Sequence, residues 1–237
     1  MTHRPCVAFA CAHLTDERLY AAQVAALGDA FDCRVFVFRE HDSLAGMAEA
    51  LLAATPARFT LVGLSLGGYV AFEVVRRQTQ RLERLALIDT TAVADTAARR
   101  DGRLADIAKV RAGGIEALVP ELPPRWLLPA HARRPELVEL MAAMARSVGA
   151  QGQINQQTAM LGRPDSHADL STLRLPTLVM CGRQDPVTPL ADHEAMVACV
   201  PGARLEVIEN CGHLSTIEQP EATSRALARW MGVTARP

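Results

Sequence analysis

Short, continuous apolar runs rich in Val, Leu, Ile and Phe recur at residues 6–12, 33–38, 59–64, 82–88, 177–181 and 204–208. Continuous rather than alternating apolar character predicts strands covered on both faces. Between them, residues 18–28, 43–54, 66–78, 190–200 and 220–230 carry the spacing of amphipathic helices. Strand then helix, repeated, predicts an α/β architecture: a doubly wound parallel sheet of about six strands with helices on both faces. The right-handed crossover rule limits the topology, and such a sheet places its ligand at the carboxyl ends of the strands. Residues 94–164 break the alternation. They hold helical patterns at 98–111, 114–119, 135–147 and 151–161 with no strand between them, and read as a helical insertion. Of its apolar residues, Trp126, Leu127, Leu128, Met141, Met144 and Met160, most are expected to pack the insertion and a few to line a pocket.

The strand ends therefore carry the candidate chemistry. After the third run comes Gly63-Leu64-Ser65-Leu66-Gly67-Gly68, a strand, a sharp turn and a helix with Ser65 at the apex. Glycines two residues either side of a serine suit a turn that leaves no room for Cβ atoms, the G-x-S-x-G nucleophile elbow. A serine hydroxyl is a weak nucleophile at neutral pH, so it needs a base, and a histidine base needs an acid to fix its tautomer. Asp185 follows the fifth run in a turn-rich segment, and His213 follows the last, giving the order Ser, Asp, His.

Each partner has a structural alternative. Asp185 before Pro186 also suits a turn or the cap of the next helix, and a loop histidine is often structural. Asp89, at the end of the fourth run, is a second carboxylate within possible reach of His213. His41, His131, His167 and His193 lack a strand-end context and are expected at the surface, and His3 belongs to a tail. Donors for a tetrahedral oxyanion are expected from the backbone N–H groups of Leu66 and His13, with no catalytic role for the His13 ring.

Composition narrows the partners. The 237 residues suit one domain with an elaboration, and a net charge of −1 with scattered basic residues gives no electrostatic case for nucleic acid or an anionic membrane. His13 and Asp16 end the first apolar run before any cleavage site, so it reads as a strand rather than a signal peptide. No apolar stretch approaches the ~20 residues that span a bilayer. A cytoplasmic location is expected. Six cysteines lack C-x-x-C spacing and read as buried, reduced thiols, with a reactive thiol at Cys11 or Cys211 as the lesser reading.

The segments Gly63 to Gly68, Leu85 to Thr90, Cys181 to Pro189 and Gly212 to Pro220 together resemble the α/β-hydrolase fold family over nearly the whole chain. The resemblance is to its small, helical-capped bacterial branch, which includes 3-oxoadipate enol-lactonase-like esterases and meta-cleavage-product hydrolases. It implies a core at 1–93 and 165–237, a helical cap at 94–164, and a six-stranded sheet ordered 2-1-3-4-5-6 without the family's usual N-terminal antiparallel pair. It also implies a serine hydrolase of a small carboxylic ester or lactone, with Ser65 as nucleophile, His213 as base and Asp185 orienting it, and with no metal or organic cofactor. Ala12-His13 stands where the family usually has a glycine before the oxyanion donor. Carbon–carbon bond hydrolysis of ring-cleavage diketones, or ligand capture by a non-catalytic relative, are the alternatives; a serine at the elbow argues against a haloalkane dehalogenase.

Overall fold

The structure is a computed structural model describing residues 4–235. Six strands, β1 (Cys6–Ala10), β2 (Asp32–Phe36), β3 (Phe59–Leu64), β4 (Leu82–Ile88), β5 (Thr177–Gly182) and β6 (Arg204–Ile208), form one sheet. Its order is β2-β1-β3-β4-β5-β6, as the family resemblance implies, and every pairing is parallel, as the apolar runs predict.

The helices are α1 (Ala21–Leu27), α2 (Leu44–Ala53), α3 (Leu66–Gln78), α4 (Ala97–Gly113), α5 (Leu122–Trp126), α6 (Pro135–Met160), α7 (His167–Ser171), α8 (Leu190–Cys199), α9 (Ser215–Glu218) and α10 (Pro220–Met231). Side chains alternate between the two faces of each strand, so the sheet divides the core in two. Phe9, Val62, Leu64, Ile88 and Met180 face the layer containing α1 and α10. Ala8, Leu61, Leu85, Leu87 and Val179 face α2, α3 and α8. Each fully buried Leu or Phe in these layers contributes roughly 1.5–3 kcal/mol of transfer free energy. Charged residues mark both edges: Arg34 Nε donates to Asp32 Oδ2 at 2.8 Å on β2, and Arg229 reaches Glu206 of β6 at 2.8 Å. Such charges oppose edge-to-edge pairing.

Between β4 and β5 the chain is helical, with no strand among the described residues. Thr96 caps α4 by accepting the Arg99 N–H at 3.2 Å, which sets its start. The pattern at 114–119 proves to be two single 3-10 turns, Ile115–Ala117 and Val119–Glu121, where Pro120 removes a backbone donor. The patterns at 135–147 and 151–161 are the two halves of α6. They meet at a break at Gly149, whose φ of 75° and ψ of 176° belong to a region open essentially to glycine. Leu127, Met141 and Met144 are buried in the core, whereas Trp126 and Met160 line the cavity described below. No helix among the described residues is long and apolar enough to cross a membrane. All six cysteines are free of disulfides.

Candidate active site

β3 ends at Leu64 and α3 begins at Leu66, leaving one residue to reverse the chain. Ser65 does so with φ 53° and ψ −110°, a conformation that costs about 1–3 kcal/mol and persists only where its surroundings enforce it. Enforcement is visible in the backbone. Ser65 N–H donates to Ile88 O at 3.0 Å, and its carbonyl accepts from Gly68 N at 2.9 Å, Tyr69 N at 3.2 Å and Thr90 Oγ1 at 2.9 Å. The expected reason for the glycines also holds. A Cβ on Gly63 would lie 2.4 Å from Gly67 O, and one on Gly67 would lie 2.0 Å from Ala10 O.

The three residues singled out by sequence order meet at the strand ends. His213 Nε2 lies 3.0 Å from Ser65 Oγ, and His213 Nδ1 lies 2.8 Å from Asp185 Oδ2. Asp185 serves the turn as well: Oδ1 accepts the N–H groups of Val187 at 2.7 Å and Thr188 at 3.0 Å, and Oδ2 accepts Thr188 Oγ1–H at 2.7 Å. The turn reading and the histidine-partner reading are thus both satisfied by one carboxylate. Burial disfavours the charged forms of both partners, but their mutual attraction and hydrogen bonds outweigh it. The His213 imidazole is held above its usual 6.5 and the Asp185 carboxyl below its usual 3.8.

Asp89, the second carboxylate, makes no hydrogen bond to His213. Its oxygens accept the backbone N–H of Gly182 at 3.0 Å and of Ser215 at 2.9 Å, so it ties together the segments that carry Asp185 and His213. Burial, followed by the nearby Asp185 charge, pushes its carboxyl up to about 8.

Two histidines expected at the surface are not there. His193 is fully buried, its Nδ1 donating to Pro189 O at 3.2 Å and its Nε2 accepting Thr90 N–H at 3.2 Å. An imidazole with both nitrogens satisfied packs inside a helix face that its polarity alone assigns to solvent. His131 is largely covered and lies 2.8 Å from Glu218 Oε2. His167 is partly exposed against Asp165, His41 is half-buried, and His3 lies outside the described residues. The thiols of Cys11 and Cys211 are both pushed well up by burial, which leaves them inert rather than reactive.

Leu66 opens α3, so its N–H belongs to the first helical turn, where no intrahelical acceptor exists. His13 follows β1 and lines the same cavity as Ser65. Its ring does not face solvent: Nδ1 lies 2.9 Å from Gln156 Oε1, Nε2 lies 3.3 Å from Gln157 Nε2, and Trp126 meets it edge-on at 5.8 Å. Burial, only partly offset by the Gln156 hydrogen bond, pulls it down to about 3, so the ring is neutral.

Ser65 and His213 open into a cavity of about 200 Å³ whose apolar wall includes Leu118, Leu122, Trp126, Met160, Val187 and Leu214. Arg99, Arg103, Arg125, Asp106 and Gln157 supply the polar wall. Arg103 is spent on Asp95 at 2.9 Å and Gln157 at 3.0 Å, and Arg125 on Asp106 at 3.0 Å. Arg99 donates to Val187 O at 3.1 Å and is the lining arginine without an ion pair among the described residues. Among the same residues no group of three or more His, Cys, Asp or Glu is arranged to hold a metal ion.

Thr188, Gln156, Gln157 and Arg99 escape the sequence reading. Thr188, three residues past Asp185, is the one whose turn spacing could have exposed it.

This architecture has close parallels. The chain is 28% identical over 230 residues to 3-oxoadipate enol-lactonase 1 of Acinetobacter baylyi, covering 92% of this chain and 85% of that one. A thermophilic esterase from Thermogutta terrifontis, solved with malate bound, superposes with a TM-score of 0.88 at 31% identity, over 97% of this chain and 90% of the other. The enol-lactonase of Burkholderia xenovorans shares the fold, with a TM-score of 0.88 at 23% identity over 97% and 92% of the two chains. The sequence model of the Alpha/beta hydrolase family matches residues 8–226, and the chain therefore belongs to that family and is a hydrolase.

Proposed function

We propose that the protein is a serine hydrolase of small carboxylic esters or lactones, acting through an acyl-enzyme on Ser65. The observation that carries this reading is the hydrogen-bonded chain from Ser65 Oγ through His213 to Asp185 on the lining of a cavity. Ser65 Oγ attacks the carbonyl carbon while His213 Nε2 takes its proton, and Asp185 stabilises the imidazolium. The carbonyl oxygen, now an oxyanion, receives the N–H groups of His13 and Leu66. Collapse expels the alcohol, which takes the proton from His213; in a lactone the alcohol stays attached to the acyl chain. Water then repeats the sequence and frees Ser65. Residues 94–164 act as a cap that screens the reacting carbonyl from bulk water.

Turnover needs neutral His213, whose pKa is raised, so kcat/KM is expected to fall as pH drops through a midpoint above 6.5. His13, at about 3, adds no limb near neutrality. A pH profile with p-nitrophenyl acetate tests the reading; where deacylation is the slower step, a burst of p-nitrophenol approaching the enzyme concentration accompanies it. An acid limb centred below 6.5 contradicts it.

Arg99 suits a substrate that carries a carboxylate away from the scissile bond. A charge-assisted hydrogen bond is worth about 1.5–3 kcal/mol, or roughly 10- to 100-fold in affinity. Arg99→Ala is accordingly expected to raise KM about tenfold or more for a monoester of a dicarboxylic acid, and less than about threefold for a neutral ester of equal length. Steady-state kinetics on the pair of esters measures this.

A further inference from the structure

The loop after β1 carries Ala12-His13, and what holds it comes from 142 and 143 residues away in sequence. Gln156, on the second half of α6, is wholly buried. Its Oε1 accepts both the Leu14 backbone N–H at 2.9 Å and the His13 Nδ1–H at 2.9 Å, while its Nε2 donates to Phe38 O at 2.7 Å. One side-chain amide thus spends both ends on the loops that follow β1 and β2. Leu14 sits at φ 55°, a conformation a leucine adopts only under constraint. Gln157, the next residue, closes the other side of the ring at His13 Nε2 and is itself fixed by Arg103.

We propose that Gln156 is a positioning residue for the oxyanion donor: by clamping the His13 ring and the Leu14 N–H it aims the His13 backbone N–H at the carbonyl oxygen, and it makes that donor dependent on the seating of α6. The proposal rests on the serine-hydrolase reading above. The Ala12-His13-Leu14 loop, strained at Leu14, is held from outside by α6. Removing the amide leaves two N–H donors and one carbonyl without partners in a dry site, so the loop must rearrange to recover them. A misplacement of about 1 Å in such a site costs on the order of 100-fold in rate.

The test uses two substitutions. Gln156→Met keeps length and removes every hydrogen bond; Gln156→Glu keeps the accepting oxygen and, when protonated, the donor to Phe38. Gln156→Met is expected to lower kcat about 30- to 100-fold with KM changed less than about threefold. Affinity for a trifluoromethyl ketone, whose adduct with serine carries the oxyanion, should fall by a similar factor. Gln156→Glu should recover activity to within about tenfold of wild type. A structural role alone would lower thermal stability without splitting kcat from KM. The proposal is overturned if Gln156→Met retains kcat within about threefold, if only KM changes, or if Gln156→Glu is as impaired as Gln156→Met. A readout on the wild type needs no variant to fold: 15N NMR of the imidazoles should find His13 as the Nδ1–H tautomer at neutral pH, and an Nε2–H tautomer overturns the clamp. Wild-type turnover that does not depend on Ser65 removes the hydrolase reading and this proposal together, whereas Ser65-dependent turnover unaffected by Gln156→Met removes this proposal alone.

Discussion

Ser65→Ala is expected to lower kcat for short-chain esters by about 10⁴- to 10⁶-fold while leaving the fold intact. The alanine keeps the backbone bonds from Ser65 N to Ile88 and from Gly68, Tyr69 and Thr90 to the Ser65 carbonyl, because none of them uses Oγ. What disappears is the hydroxyl that meets His213 Nε2 among the described residues. Residual activity should have the pH dependence of attack by water rather than the His213 limb. Steady-state kinetics beside circular dichroism checks both halves of the expectation. A variant that folds and keeps a tenth of its activity is incompatible with an acyl-enzyme at this position.

Asp185→Asn should cost about 10³- to 10⁴-fold in kcat, for a reason that follows from its four donors. Two backbone N–H groups converge on Oδ1, and His213 with Thr188 Oγ1 converges on Oδ2. An asparagine offers one accepting oxygen. If it faces the two fixed backbone donors, its NH₂ meets His213 Nδ1, which must then become the acceptor. The proton moves to Nε2, and the imidazole no longer accepts a proton from Ser65 Oγ. The opposite flip aims the NH₂ at two backbone N–H groups that cannot turn away, so the first arrangement wins. The same change removes the carboxylate that holds the His213 pKa up, so the acid limb of the remaining activity should shift to lower pH. Loss of less than tenfold in kcat, or an unmoved limb, contradicts the assignment of Asp185.

The parallel sheet was legible because each strand is a continuous apolar run bounded by turn residues, and its order because the resemblance to the α/β-hydrolase fold family implies it. Ser65, Asp185 and His213 were legible because each sits at a strand end in a fixed chain order. Asp89 shares that context, and only geometry separates it: its carboxylate is saturated by Gly182 and Ser215 before it can reach His213. His193 and His131 were misplaced because a polar ring that finds partners for both nitrogens, or a carboxylate for one, is indistinguishable in sequence from an exposed one. The helices α5, α7 and α9 span only four or five residues, too few to display a 3.6-residue period. Gln156 was invisible for a different reason. Its contact with His13 joins positions 143 residues apart, and nothing local in Gln-Gln within a helix announces it.

The electrostatics of the site fit one division of labour. Burial works against every charge in it, yet the Asp185–His213 pair is poised to hold charge, whereas His13 is kept neutral at about 3. The His213 ring is held above its usual 6.5 by Asp185, while the neutral His13 ring has both nitrogens engaged by Gln156 and Gln157.

The most direct test of the acyl-enzyme account is covalent trapping. Wild-type protein treated with a fluorophosphonate and digested should carry one adduct per chain, on the peptide containing Ser65, with ester hydrolysis lost in proportion to labelling. Complete labelling at another residue, or full activity retained in protein labelled at Ser65, would contradict it.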